Sequence, residues 1–477
     1  MPSFPTLFSP IRIGLLELRN RLVMAPDGDL LRLSASRDGI PTPRSVAYYE
    51  ARAKGGVGLI TLGACSIDER HREVLRTMDF GRDELVEAHR DLTARVHAAG
   101  ARIQPQLVHP GPDGLAPHLS GIPNVGPSVI PSSLTGVPCR ALEQGELPPI
   151  VEAFARASVR IRDAGYDGIE LHAAHRYMLL GSFLSPMRNR RTDEYAGGTR
   201  EGRIRLRVEF VRAIKRATGA ALPITLRLSG YERTPGGRPI QDTAQIGPLL
   251  VEAGVDAFHV SGGVIDPWTT QMVAGGQAGD APNVGAARAL KQVVDVPVIV
   301  VGRIHDPARA ERLLVEGSAD LIAMGRPLLA DPELPNKARC GETGRIRPRI
   351  SCECCVDSME QGRAGGCGPG SAGGCAGSAR VSPGVFARAT GVGWRWRCRV
   401  RFRWGARSFY SGGDLAAIEL AELLAECGRR VCIVASGETI ASSVGASSPG
   451  PAESGGISDP SGSRVPADLL SNGQAMG

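Results

Sequence analysis

Between residues 21 and 329, short apolar runs alternate with amphipathic stretches without a break. The runs fall at 21–26, 57–66, 102–111, 168–171, 223–230, 255–263, 296–304 and 319–329, and helical segments at 45–54, 84–99, 150–164, 201–218, 241–253, 286–294 and 308–316 separate them. Apolar runs of this length read as buried strands. Within 150–164, Ile150, Val151, Phe154, Ala155, Val159 and Ile161 recur near a 3.6-residue period, as one buried helix face requires. Eight strands separated by helices predict a closed parallel (β/α)8 TIM barrel, and such barrels collect their chemistry at the C-terminal ends of the strands.

One strand end stands out. The segment 165–198 reads GYDGIELHAAHRYMLLGSFLSPMRNRRTDEYAGG, so the run 168–171 is followed at once by His172, His175, Arg176 and Tyr177. These side chains titrate or donate hydrogen bonds, and clustered at a barrel strand end they mark a site rather than packing. Two other ends repeat one pattern: Gly302 and Arg303 end the seventh strand, and Gly325 and Arg326 end the eighth. Glycine admits close backbone approach to a phosphate whose charge arginine neutralises.

The barrel accounts for residues 1–345 of the 477. Beyond it the periodicity fails. Residues 346–368 are cysteine-rich, 369–409 are low-complexity Gly, Ala and Arg, 410–440 have the pattern of a partial Rossmann-like unit, and 441–477 are rich in Ser, Gly and Pro and expected to be disordered. Of 11 cysteines, Cys352, Cys354, Cys355, Cys367 and Cys375 crowd into this tail, which favours metal or cluster ligation over disulfides. A net charge of +7 is modest for this length and is no nucleic-acid footprint. With no signal-peptide pattern and no apolar stretch near the roughly 18 residues that span a bilayer, a cytoplasmic protein with a small-molecule substrate is expected, without a nucleic-acid or membrane partner. The oligomeric state is not legible.

These motifs resemble the Old Yellow Enzyme superfamily of FMN-dependent oxidoreductases, and within it the longer branch containing 2,4-dienoyl-CoA reductase and trimethylamine dehydrogenase. The resemblance runs over about 7–366 and returns briefly near the C-terminus. It implies bound FMN, with Ala25 and Pro26 passing the ring, Gln106 on its pyrimidine, Arg227 at the N1/O2 edge, and Gly302, Arg303, Gly325 and Arg326 around the phosphate. It also implies NAD(P)H as reductant and His172, His175 and Tyr177 as the catalytic cluster. The histidines would bind an activated carbonyl oxygen, and Tyr177 would protonate the α-carbon. His172 stands where amine-oxidising relatives have tyrosine, which favours reduction of an enone or enoyl thioester over amine or alcohol oxidation. Gly28 stands where one relative has the cysteine that binds flavin covalently, and Asp27 places a carboxylate where a neutral residue is usual.

The tail departs from the branch. Cys352, Cys355 and Cys367 match three ligands of its [4Fe–4S] motif, but Arg349 replaces the first cysteine, one thiolate short of the usual four. Asp414 occupies the second glycine of the nucleotide fingerprint, and no dinucleotide domain of about 100 residues fits in what remains, so FAD is not expected. A frame shift or internal deletion accounts for this loss and brief return, and a catalytically impaired flavin-binding remnant is therefore a further alternative. Sequencing the gene locus and reading its other frames tests that explanation.

Overall fold

The structure is a computed structural model that describes residues 3–27, 35–36, 38–74, 76–115, 120–266 and 279–349. All of them belong to the first of the chain's two units, Met1–Ser351 with Cys355–Cys375. A hairpin of β1 (Ile11–Ile13) and β2 (Leu16–Leu18) turns at Gly14, ahead of the barrel. The barrel strands are β3 (Leu22–Met24), β4 (Leu59–Ser66), β5 (Arg102–Val108), β6 (Ile169–Ala173), β7 (Ile224–Ser229), β8 (Ala257–Ser261), β9 (Val298–Val301) and β10 (Leu321–Met324). Each pairs in parallel with the next, and β10 pairs with β3 to close the ring.

Between the strands run α1 (Pro43–Lys54), α2 (Val86–Ala98), α3 (Leu147–Asp163), the short α4 (Met178–Leu184), α5 (Arg200–Thr218), α6 (Ile240–Ala253), α7 (Val284–Lys291) and α8 (Pro307–Val315). Their ends follow local chemistry. Thr42 and Ser45 form a capping box ahead of α1, Thr199 caps α5, and Asp306 caps α8 with Pro307 in the first turn. The helices bury their apolar stripes on the outer face of the barrel, where Phe154 of α3 meets Phe210 of α5 at a ring separation of 4.3 Å.

The interior of the barrel changes character along its axis. Val23, Leu59, Ala257, Ile299 and Leu321 form a dry floor with Ile13 and Leu18 of the hairpin. Thr61 and Gln104 bond to each other at 3.1 Å. Gln106, His172 and Arg227 lie in the C-terminal halves of their strands, beside the buried Glu170 and His259. An apolar floor supplies the burial that holds the barrel shut, and the polar groups gather above it.

The eight predicted strands are all present, with three differences in detail. His172 lies inside β6 rather than after it. The run 319–329 divides into β10 and a short helix, α9 (Arg326–Ala330), because Gly325 interrupts the strand and Pro327 suits a first helical turn. The hairpin, α4 and α10 (Leu334–Arg339) were not among the predicted elements.

Candidate active site

Alternation along β6 sorts its residues by face. Ile169, Leu171 and Ala173 join the outer core, while Glu170 meets partners from two other strands. Register sets Gln106 beside Glu170 and places Arg227 between His172 and His259. The Gln106 Nε2 donates to Glu170 at 2.6 Å, and the His259 Nδ1 lies 2.7 Å from the other carboxylate oxygen. Burial pushes the Glu170 carboxyl upward, but His259, Arg227 and Gln106 outweigh it and hold the group below its ordinary range. Burial depresses His259 despite Glu170. The Arg227 guanidinium has no hydrogen-bond partner among the described residues, and its Nε is buried. A cation so placed costs free energy unless Glu170 or a ligand answers it.

After β6 the backbone takes a strained turn, with φ of 64° at His175, 54° at Arg176 and 56° at Met178. Non-glycine residues stay in this region only when their surroundings fix them. Here three neighbouring strand ends do so. Ser229 Oγ accepts from the His175 N–H at 2.8 Å and donates to the Gly263 carbonyl, and the Ile265 N–H donates to the His175 carbonyl. From the β5 side, Asp113 accepts from the Met178 N–H and the His109 carbonyl from the Leu179 N–H. That approach needs Gly111, whose φ is +58° and whose added Cβ would stand 2.5 Å from the Leu179 nitrogen.

The turn brings the predicted catalytic residues together. Ring centroids of His172 lie 5.9 Å from His175 and 6.0 Å from Tyr177. Burial, then the Arg227 charge, lowers His172 to about 3 and His175 well below its ordinary value, so both imidazoles are neutral at neutral pH. His172 Nδ1 accepts from the Ala174 N–H at 3.2 Å, which leaves the proton on Nε2 as the ring's donor. Both His175 ring nitrogens are buried outside hydrogen-bond geometry. The Tyr177 hydroxyl, itself buried, donates to the carboxylate of Glu73.

On the adjacent ends of β9 and β10, Gly302 has a φ of +128° and sits against Asn283, while an added Cβ at Gly325 would meet nothing nearer than Ala25 at 3.6 Å. Ala25 thus lies in ordinary van der Waals reach of that position. Ala25 donates its N–H to Met324 at 3.0 Å, and Pro26 follows half-buried. Arg326 opens α9, whereas the Arg303 Nε is committed to the Gly279 carbonyl at 2.7 Å. Asp27 accepts from the Tyr48 hydroxyl of α1 at 2.8 Å, and burial, opposed by Tyr48 and Arg52, raises its carboxyl to about 6.

Residues 6–343 match the NADH:flavin oxidoreductase / NADH oxidase family. The chain belongs to this family. Among curated relatives it is 41% identical over 353 residues to an NADH oxidase of Thermoanaerobacter brockii, covering 74% of this chain and 53% of that protein. It is 35% identical to a cinnamate reductase of Clostridium sporogenes, covering 75% and 56%. The solved structure of a 2-naphthoyl-CoA reductase with 2-naphthoyl-CoA superposes with a TM-score of 0.69 at 25% identity, over 75% of this chain and 55% of the other. The chain thus spans about half the length of these relatives.

The mouth of this family member suits a flavin mononucleotide: a buried cation without a hydrogen-bond partner is a feature such a group needs. Sequence reading missed Glu170, His259 and Glu73. The first two were within reach, since Glu170 sits two residues before His172 on the same face of a strand, and His259 lies in register with Arg227. Glu73 carried no such signal. Gly28, Cys352, Cys355, Cys367 and the Rossmann-like segment lie outside the described residues. Among the described residues no His, Cys, Asp and Glu side chains cluster to hold a metal, and no helix is long and apolar enough to cross a membrane.

Proposed function

We propose that this chain is an FMN-dependent NAD(P)H oxidoreductase that reduces an activated C=C bond of an enone or enoyl thioester. The observation that carries the reading is the pairing of two kinds of group at one mouth: the Arg227 cation, and the neutral His172 and His175 with Tyr177. Arg227 and Gln106 would hold the pyrimidine edge, Ala25 and Pro26 the ring, and Gly302, Arg303, Gly325 and Arg326 the phosphate. Bound FMN supplies hydride transfer between the nicotinamide and the substrate.

The chain's own residues do the rest. The His172 Nε2–H and a His175 ring N–H bind the substrate carbonyl oxygen and stabilise the negative charge that gathers there, a task for neutral donors already fixed in place. Charge on Arg227 favours an anion at the pyrimidine edge. Tyr177 gives its proton to the α-carbon. The cinnamate and naphthoyl-thioester reductases among the relatives act on conjugated carbonyl compounds by their names, which agrees with this substrate class. Anaerobic mixing tests the reading: NAD(P)H should bleach the bound flavin, and an α,β-unsaturated aldehyde or thioester should restore its colour with formation of the saturated product. Reduction without any reoxidation by such substrates would refute it.

A further inference from the structure

Tyr177 raises a difficulty that the proposed reaction does not resolve. Its hydroxyl proton points to Glu73, and a phenol cannot give one proton both to a carboxylate and to a substrate carbon. Glu73 is not a loose surface acid. Its backbone carbonyl accepts from the Leu115 N–H at 3.0 Å, the next residue is tied to Thr77, and the preceding Arg72 pairs with Asp79 at 2.9 Å. The side chain is buried, and it reaches Tyr177 from a loop after β4, more than a hundred residues away in sequence. A loop held this firmly places a carboxyl group against the Tyr177 phenol.

We propose that Glu73 is the residue that supplies Tyr177 with its proton, the second member of a two-step relay. The inference rests on the C=C reduction proposed above. In its acid form Glu73 donates to the Tyr177 oxygen, which turns the phenolic proton toward the substrate. Bound FMN would supply the hydride for the new C–H bond at the β-carbon, and the π pair would move onto the α-carbon and carbonyl oxygen. The α-carbon then takes the Tyr177 proton, the Tyr177 oxygen takes the Glu73 proton, and Glu73 is left as carboxylate until water reprotonates it. No further oxidant or reductant enters. Glu73 acts through Tyr177 and is a positioning and proton-supplying residue rather than one that touches substrate.

A nitroalkene separates the steps, because its hydride adduct is a nitronate stable enough to be released and seen before protonation. The FMN-loaded wild-type protein should convert it to nitroalkane. Glu73→Gln keeps the size and a hydrogen bond to Tyr177 but has no proton to pass on. It should therefore add hydride at the wild-type rate and release nitronate, with proton delivery slowed by about 10². Glu73→Ala should behave alike and recover in part with added acetate, whereas Tyr177→Phe should not respond to acetate. If Glu73→Gln protonates as fast as wild type while Glu73→Ala releases nitronate, the bond only positions the ring and the relay is overturned. If the wild-type protein adds no hydride to any activated alkene, the proposed reaction itself fails, and the relay with it.

Discussion

Replacing Glu170 by Gln tests the buried network directly. The carboxylate is fully buried, accepts from Gln106 at 2.6 Å, meets His259 at 2.7 Å, and is the charge that offsets Arg227. The amide keeps the volume and one of the two hydrogen bonds, turns a donor toward the other partner, and leaves Arg227 without its counter-charge. Removing one member of a buried ion network costs about 3–5 kcal/mol, and the retained hydrogen bond offsets about 1 kcal/mol, so a loss of about 3 kcal/mol is expected. Denaturant unfolding of the cofactor-free protein at pH 7 measures it as a lower midpoint at unchanged slope. The sign with pH follows from the depressed carboxyl. The Glu170 contribution is present above its ordinary value of 4.5 and is lost as pH falls through the lower folded value, so the gap between variant and wild type should narrow in acid below about pH 4.5. A variant within about 0.5 kcal/mol of wild type at pH 7 would refute the assigned charge balance.

Other outcomes follow from the same mouth. Arg227→Ala and Arg326→Ala should each weaken FMN retention, seen as flavin lost on gel filtration, and full occupancy in both would remove them from the cradle. His172→Ala should slow reoxidation by an enone by roughly 10²–10³ with flavin reduction by NAD(P)H nearly intact, as stopped-flow traces of the two half-reactions would report. Tyr177→Phe should spare the reductive half-reaction and slow the oxidative one, and equal slowing of both would count against its proton. Gly111→Ala should destabilise the fold by about 2–4 kcal/mol, from a left-handed backbone and a Cβ driven against Leu179, and a wild-type melting profile would contradict that packing.

The barrel was legible because its signal is repeated: each strand is a short apolar run and each helix an apolar stripe, and eight repetitions leave few alternative topologies. Boundaries failed where apolar content continued across a change of backbone, as at Gly325, where 319–329 looks continuous but holds a strand and a helical turn. The cluster His172, His175 and Tyr177 was legible because its residue types are unusual after a strand. Its support was not. The contacts of Ser229, Asp113, His109 and Glu73 with the turn depend on closure of the barrel, which brings loops distant in sequence to one mouth. Asp27 shows the same limit: the positions of Tyr48 and Arg52 on α1 explain how a carboxyl is kept beside the end of β3.

The most direct test of the account is the absorption spectrum of the purified full chain, followed by identification of whatever flavin heat releases. Two visible flavin bands, bleached by NAD(P)H without oxygen, with FMN and not FAD in the supernatant in an amount matching the protein, are the predicted result. A colourless protein that takes up no FMN on reconstitution, though folded by circular dichroism, would contradict the claim that Arg227 and the two strand-end glycines form a flavin site.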